Sequence, residues 1–237
     1  METADEQKIK QTASLHEELV ASGLHFGHKT SKTHPKMRPY IAGIRNTVHV
    51  INIEKTAEKL EEALEAIKNM VAEGKKILLV GTKIQLRGLT EETAGACGFS
   101  YVSLRWIGGT FTNFSEITKR VAHLKELESQ QQSGELVAKY TKKERLEISR
   151  EIERLLQNFG GLKNMDRLPD AVFILDPVEN ETAVKEASRV GIPIIAICDT
   201  DVDPSPMMYP IPANDDSISS VKYILTKVQE VCHSLNK

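Results

Sequence analysis

Two uniformly apolar runs, Ala171-Val172-Phe173-Ile174-Leu175 and Ile194-Ile195-Ala196-Ile197-Cys198, constrain this chain more than any other stretch. Each ends in an aspartate, Asp176 before Pro177 and Asp199 before Thr200. A polar–apolar segment of helical length runs from Val178 to Val190 between them, and Gly191 stops it. Short β-branched strands flanking a helix are what a parallel βαβ unit looks like in sequence. Strands without a polar face must be covered on both sides, so the sheet belongs inside a sandwich of helices. Sheets of this kind hold ligands at the carboxyl ends of their strands, where both aspartates fall.

The pattern extends upstream. Val48 to Ile53 reads as a strand, Glu54 to Ala72 as a helix with Leu60, Leu64 and Ile67 on its inner stripe, and Ile77 to Gly81 as the next strand. Thr82 to Ala96 is expected to be helical, and Phe99 to Leu104 a further strand. Strands starting at Val48, Ile77, Phe99, Ala171 and Ile194 make an α/β fold: a five-stranded, mostly parallel sheet with helices on both faces, Rossmann or flavodoxin-like. Between the third and fourth strands, Phe114, Ile117, Val121 and Leu124 recur at helical spacing, as do Ile148, Ile152, Leu155 and Phe159. This predicts an inserted antiparallel α-helical hairpin, a coiled coil with a narrow apolar seam, projecting from the domain. The expected organisation is a tail and short helix over 1–23, with Ser14 as cap, an α/β domain over 24–112 and 160–237, and the hairpin over 113–159. Pro204, Pro206, Pro210 and Pro212 read as a stiff loop, after which Asp215 and Asp216 open a last helix.

Composition excludes several roles. The formal net charge is −2, so nucleic acid cannot be bound by bulk charge and needs a local basic patch. Cys97, Cys198 and Cys232 are odd in number and lack metal-ligand spacing, which fits thiols in a reducing compartment. No apolar run approaches the roughly 18 residues of a membrane span. The polar start, Met1 to Gln11, mixes acids with lysines, unlike a targeting peptide, so the expected location is the cytosol.

Three stretches can carry chemistry. From Leu24 to Ile53 there is no acidic residue, while Lys29, Lys32, Lys36, Arg38 and Arg45 are joined by His25, His28, His34 and His49. Separate cations on a proline-braced loop can each neutralise a phosphate, and Tyr40 and the histidines can stack or hydrogen-bond. A solvated loop balanced by the acidic helix after it is the plain alternative. The histidines read as surface or RNA-facing groups rather than metal ligands, because no cysteine or carboxylate is near them in sequence. The second stretch, Arg105-Trp106-Ile107-Gly108-Gly109-Thr110-Phe111-Thr112-Asn113-Phe114, could cradle a phosphate at a helix N-terminus or simply turn the chain into the hairpin. The third is a set of carboxylates, among them Asp176, Asp199, Asp201, Asp203, Asp215 and Asp216, that serve either as caps or as hard ligands for a divalent cation. No nucleophile with an evident base stands out. An enzyme binding a nucleotide or sugar phosphate would have only Val80-Gly81-Thr82-Lys83 as its phosphate loop. A protein-docking module built on the hairpin is the remaining class.

Three blocks of residues resemble the bacterial-type small-subunit ribosomal protein S-two family. They are Leu24-His25-Phe26-Gly27-His28 with Pro35-Lys36-Met37-Arg38-Pro39-Tyr40-Ile41; Arg105-Trp106-Ile107-Gly108-Gly109 with Thr112-Asn113-Phe114; and Leu168-Pro169-Asp170-Ala171 through Gly191-Ile192-Pro193 and Asp199-Thr200 to Asn214-Asp215-Asp216. The resemblance implies a structural, non-enzymatic ribosomal protein of the cytoplasm that binds small-subunit ribosomal RNA and helps dock ribosomal protein S-one. It implies no membrane partner, no small-molecule substrate and no required cofactor, although a divalent ion (zinc or magnesium) can be held at the positions of Asp199, Asp215 and Asp216. Lys29, Lys32, Lys36, Arg38 and Arg45 are the expected RNA contacts, with Arg105 near the hairpin base. Lys139, Lys142, Lys143 and Arg145 would extend that footprint along the hairpin.

Overall fold

Alternation along the strands decides the layers. In the computed structural model, which describes residues 16–134, 136 and 139–235, a five-stranded parallel sheet forms the centre. Its strands are β4 (Ile77–Val80), β5 (Ser100–Val102), β6 (Ala171–Ile174), β7 (Ile194–Cys198) and β8 (Tyr209–Pro212), in the order β5-β4-β6-β7-β8. Leu78, Val80, Val172, Ile174, Ile194 and Ala196 face one apolar cluster. Ile77, Leu79, Ala171, Phe173, Ile195 and Ile197 face the other. Helices α2 (Ile53–Ala72), α3 (Arg87–Cys97) and α7 (Ile218–Leu235) supply the second cluster, joined by Leu19 from the short helix α1 over residues 16–21. The first cluster is built from α6 (Glu181–Val190) and from the long helices α4 (Phe114–Gln132) and α5 (Lys142–Phe159). The expected Ser14 cap and polar tail lie outside the described residues.

Two strand assignments change. Val48–Ile51 is not in the central sheet: as β3 it pairs antiparallel with β1 (Phe26–Lys29) and β2 (Ile41–Arg45) in a separate three-stranded sheet. Much of the acid-free stretch from Leu24 to Ile53, expected to be an ordered loop, is therefore formed by these strands and a short 3-10 helix, Pro35–Tyr40. Asn46 and Thr47, both at positive φ (49° and 65°), form the tight turn from β2 to β3. The fifth place in the central sheet goes to β8, inside the stretch expected to be a stiff loop. Pro210 and Pro212 are tolerated because β8 is an edge strand with one paired side.

The hairpin helices bury Ile117, Val121, Leu124, Leu127, Ile152, Leu155 and Phe159, and this seam belongs to the same cluster as Trp106 and Phe111. Thr141 caps α5 reciprocally with Glu144. The base of the pair is fixed by one buried anion. Glu186 of α6 is 7 % exposed and accepts from the indole Nε1 of Trp106 (3.2 Å), the amides of Gly109 (2.8 Å), Phe111 (2.9 Å) and Thr112 (3.1 Å), and the Thr112 hydroxyl (3.1 Å). Burial alone would raise its pKa, but these donors outweigh it and hold the carboxyl below its ordinary value.

Replacing Glu186 by Ala strands several buried donors and should cost about 3 kcal/mol of unfolding free energy, read by urea denaturation. Because the folded-state pKa is depressed, the carboxylate's contribution is complete above the unfolded value and disappears as pH falls through the folded one. The acid limb of stability against pH should therefore flatten in Glu186→Gln, and an unchanged limb would refute the assignment.

Candidate nucleic-acid interface

Every strand of the central sheet is parallel, so the segments after β4, β6, β7 and β8 emerge at one edge. That brings together Lys83, Asp176, Asp199 and Asp215, which are far apart in sequence. Asp176, Asp199 and Asp215 are each only 1 % exposed. Lys83 Nζ lies 2.8 Å from Asp176, 3.0 Å from Asp215 and 2.7 Å from Asp216. His28, at the end of β1, completes the neutralisation: Nδ1 is 3.2 Å from Asp199, and Nε2 is 3.4 Å from Asp216 and 3.8 Å from Asp201. The Asp199 carboxylate, against the opposing effect of burial, pushes His28 up to about 9, so the ring is cationic at neutral pH. Burial, with Asp176 adding to it, pushes Asp215 up to about 7.

His28, expected to face RNA or solvent, is turned instead onto carboxylates about 170 positions away in the chain, which no local spacing could have disclosed. Of the three expected metal-site aspartates, Asp199 and Asp215 converge with His28, their donor atoms all lying within 4.8 Å of one another. Asp216 is more exposed and divides its oxygens between Lys83 and His28. One imidazole and two carboxylates suit a borderline or hard divalent cation. The same carboxylates are already balanced by Lys83 and His28.

The basic segment is clamped to this edge. The amide of His28 donates to the Thr200 hydroxyl (2.9 Å) and the amide of His34 to the Thr200 carbonyl (2.8 Å), while Met37 is fully buried in the first cluster. Gly27 is required by this approach: a Cβ there would lie 2.6 Å from Thr200 Cγ2. Lys29, Lys32, Lys36, Arg38 and Arg45 are all exposed, although Lys32 lies close enough to Asp216 to lower its pKa. Lys29 and Arg45 both pair in register with Val48, so their side chains leave the same face of the small sheet from the two strands flanking β3. Lys36 differs from the others, because its ammonium sits 2.9 Å from Asp203, whose carboxyl it holds down at about 2.

The remaining expected contacts lie on other elements. Lys142, Lys143 and Arg145 form the first turn of α5, with Lys139 just before it. Arg105 is exposed after β5. The glycine-rich loop beside it is not an open phosphate cradle, for its amides are filled by Glu186.

A family profile described as Ribosomal protein S2 matches residues 19–234. The chain belongs to the ribosomal protein S2 family. Similar relatives carry the name Small ribosomal subunit protein uS2. One from Roseiflexus sp. (strain RS-1) is 48 % identical over 212 residues, covering 90 % of this chain and 80 % of the relative. One from Dictyoglomus thermophilum is 46 % identical over 216 residues (91 % and 87 %), and one from Synechococcus elongatus is 45 % identical over 216 residues (91 % and 86 %). Membership of this family carries the structural, non-enzymatic role and the cytoplasmic ribosomal location. No helix among the described residues is long and apolar enough to cross a membrane.

Gly27→Ala should push Thr200 away and loosen the arm. Unfolding free energy should fall by about 1–3 kcal/mol, with faster proteolysis between Lys29 and Arg45. A variant as stable and as protease-resistant as the parent would show that the clamp is not needed.

Proposed function

We propose that this chain is a structural constituent of the small ribosomal subunit that binds small-subunit ribosomal RNA through the arm from Leu24 to Ile53. The observation that carries the reading is the common face of Lys29 and Arg45, in a segment that also exposes Lys32 and Arg38 and has no acid of its own. Cations so placed neutralise successive phosphates without giving the whole molecule a net positive charge. The pair of helices over 113–159 acts as an insertion into the domain formed by 24–112 and 160–237, and it extends the footprint. Lys142 and Lys143 support this, because cations in the first turn oppose the helix dipole and gain nothing there for folding. Arg105 contributes from the base.

The carboxyl edge is the face for a neighbouring protein, in keeping with docking of ribosomal protein S-one. Ile84, Val178 and Ile218, all exposed, follow β4, β6 and β8 at this edge and add apolar surface beside an acidic centre. A divalent cation, zinc or magnesium, would be held there by Asp199, Asp215 and His28, whose ring would give up its proton to bind, and it would supply a charge that both partners could share. The fold itself requires no cofactor.

Neutralising Lys29, Lys32, Arg38 and Arg45 together should weaken binding to a small-subunit RNA fragment. The slope of log affinity against log salt should fall by about 0.7–0.9 for each phosphate left without its cation. Lys36→Ala should change that slope less than Lys32→Ala, since Asp203 already compensates Lys36. Equal effects of the two single variants, or an unchanged slope in the fourfold variant, would count against the arm. If the cation is held as described, zinc should raise the unfolding midpoint of the wild-type chain but not of Asp199→Asn. An equal rise in both would place the ion elsewhere.

A further inference from the structure

We propose that the cleft above the carboxyl ends of β4, β5 and β6 binds the phosphate of a nucleotide. The strand order reverses at this point, because the chain passes from β4 outward to β5 and then returns to β6 on the other side of β4. The loops after β4 and β6 diverge there, and the resulting crevice is where open parallel sheets accept ligands. Here it has a volume of about 740 Å³, within the range of small-molecule sites.

The lining chemistry selects an anion. Arg87, at the start of α3, and Arg105, after β5, both border the cleft, and neither forms an ion pair with a described residue. Arg87 is half-buried; its Nε is sealed from solvent without a hydrogen-bond partner among the described residues, so a ligand in the cleft would meet its terminal nitrogens. Gln85 and Thr182 add an amide and a hydroxyl donor to the lining, while the Thr82 hydroxyl donates to Asn180 (3.2 Å) and can only accept. Planar guanidinium groups are suited to phosphate oxygens. The acidic edge next door does not consume these donors, because Lys83 stands between, ion-paired with Asp176, Asp215 and Asp216. Asp216 also borders the cleft, but its two oxygens face Lys83 and His28, and the other carboxylate there, Glu179, is exposed to water. Leu104 and Trp106 supply an apolar wall for the sugar or base. The phosphate belongs either to a free mononucleotide or to a nucleotide of bound RNA. None of the arm's cations borders the cleft, so this site and the arm stand or fall separately; Arg105 alone is shared with the RNA footprint proposed above, and Arg87 tests the cleft without it.

Trp106 is the sole tryptophan and lines the cleft, so its emission reports occupancy. Inorganic phosphate, adenosine, adenosine monophosphate and a short single-stranded RNA are titrated separately into the full chain. Phosphate and adenosine monophosphate should give saturable changes, and adenosine none. Affinity for the monophosphate should fall by about tenfold in Arg87→Gln and in Arg105→Gln. Arg105 is exposed, so its replacement leaves the fold intact even if the Arg87 variant proves unstable. Competition between RNA and the monophosphate would identify RNA as the source, while simultaneous binding would identify a free nucleotide. The absence of a saturable response to phosphate and monophosphate, or full affinity in both arginine variants, would overturn the proposal.

Discussion

Three carboxylates, those of Asp176, Asp199 and Asp215, are buried at one edge of a parallel sheet, and much of the molecule is arranged around neutralising them. Buried charge that lacks a partner is strongly destabilising, so cations must be brought to it. Lys83 comes from the loop after β4. His28 comes from outside the central sheet and brings the small antiparallel sheet with it. The arm that exposes Lys29, Lys32 and Arg45 is thus attached to the domain by the same ion pair that balances the edge. A nearly neutral protein obtains a fixed basic face in this way: the acids draw His28 inward and pair with Lys36, and Lys29, Lys32, Arg38 and Arg45 are left exposed.

Glu186 solves a related problem on the other face of the sheet. There a single carboxylate satisfies the amides of the loop that turns the chain into the long helices, and it ties α6 to the base of that pair. An acid supplied from a distant helix takes the place that an external anion could otherwise fill. The loop's glycines serve the turn, and its donors serve internal cohesion. Both buried arrangements couple elements distant in sequence, and both leave the outer surfaces free for contact.

What was legible in the sequence was whatever depends on local pattern. Ala171 to Leu175 and Ile194 to Cys198 declared a sheet covered on both faces, and the period of Ile117, Val121 and Leu124 declared a helix. Val48 to Ile51 was legible as a strand but not as a member of a second sheet, because alternation fixes a residue's face and not its neighbour. Tyr209 to Pro212 was hidden by prolines that an edge position tolerates. The basic arm could be read as a segment because its cations lie close together in the sequence with no acid between them. The partners of His28, Lys36 and Glu186 could not, since each is a group that only the folded chain brings near. The aspartates after β6, β7 and β8 were visible as a set, whereas Lys83, the cation that holds three of them, was recognisable only as part of a poor phosphate loop.

The arm's role is most directly tested by acylating surface lysines in the free chain and in its complex with small-subunit ribosomal RNA, then comparing modification at each site by mass spectrometry. Lys29 and Lys32 should be strongly protected in the complex, while Lys68 and Lys75, along and after α2 and outside the basic arm, should react as before. Unchanged reactivity at Lys29 and Lys32 in a saturated complex would show that RNA is bound elsewhere and would contradict the assignment.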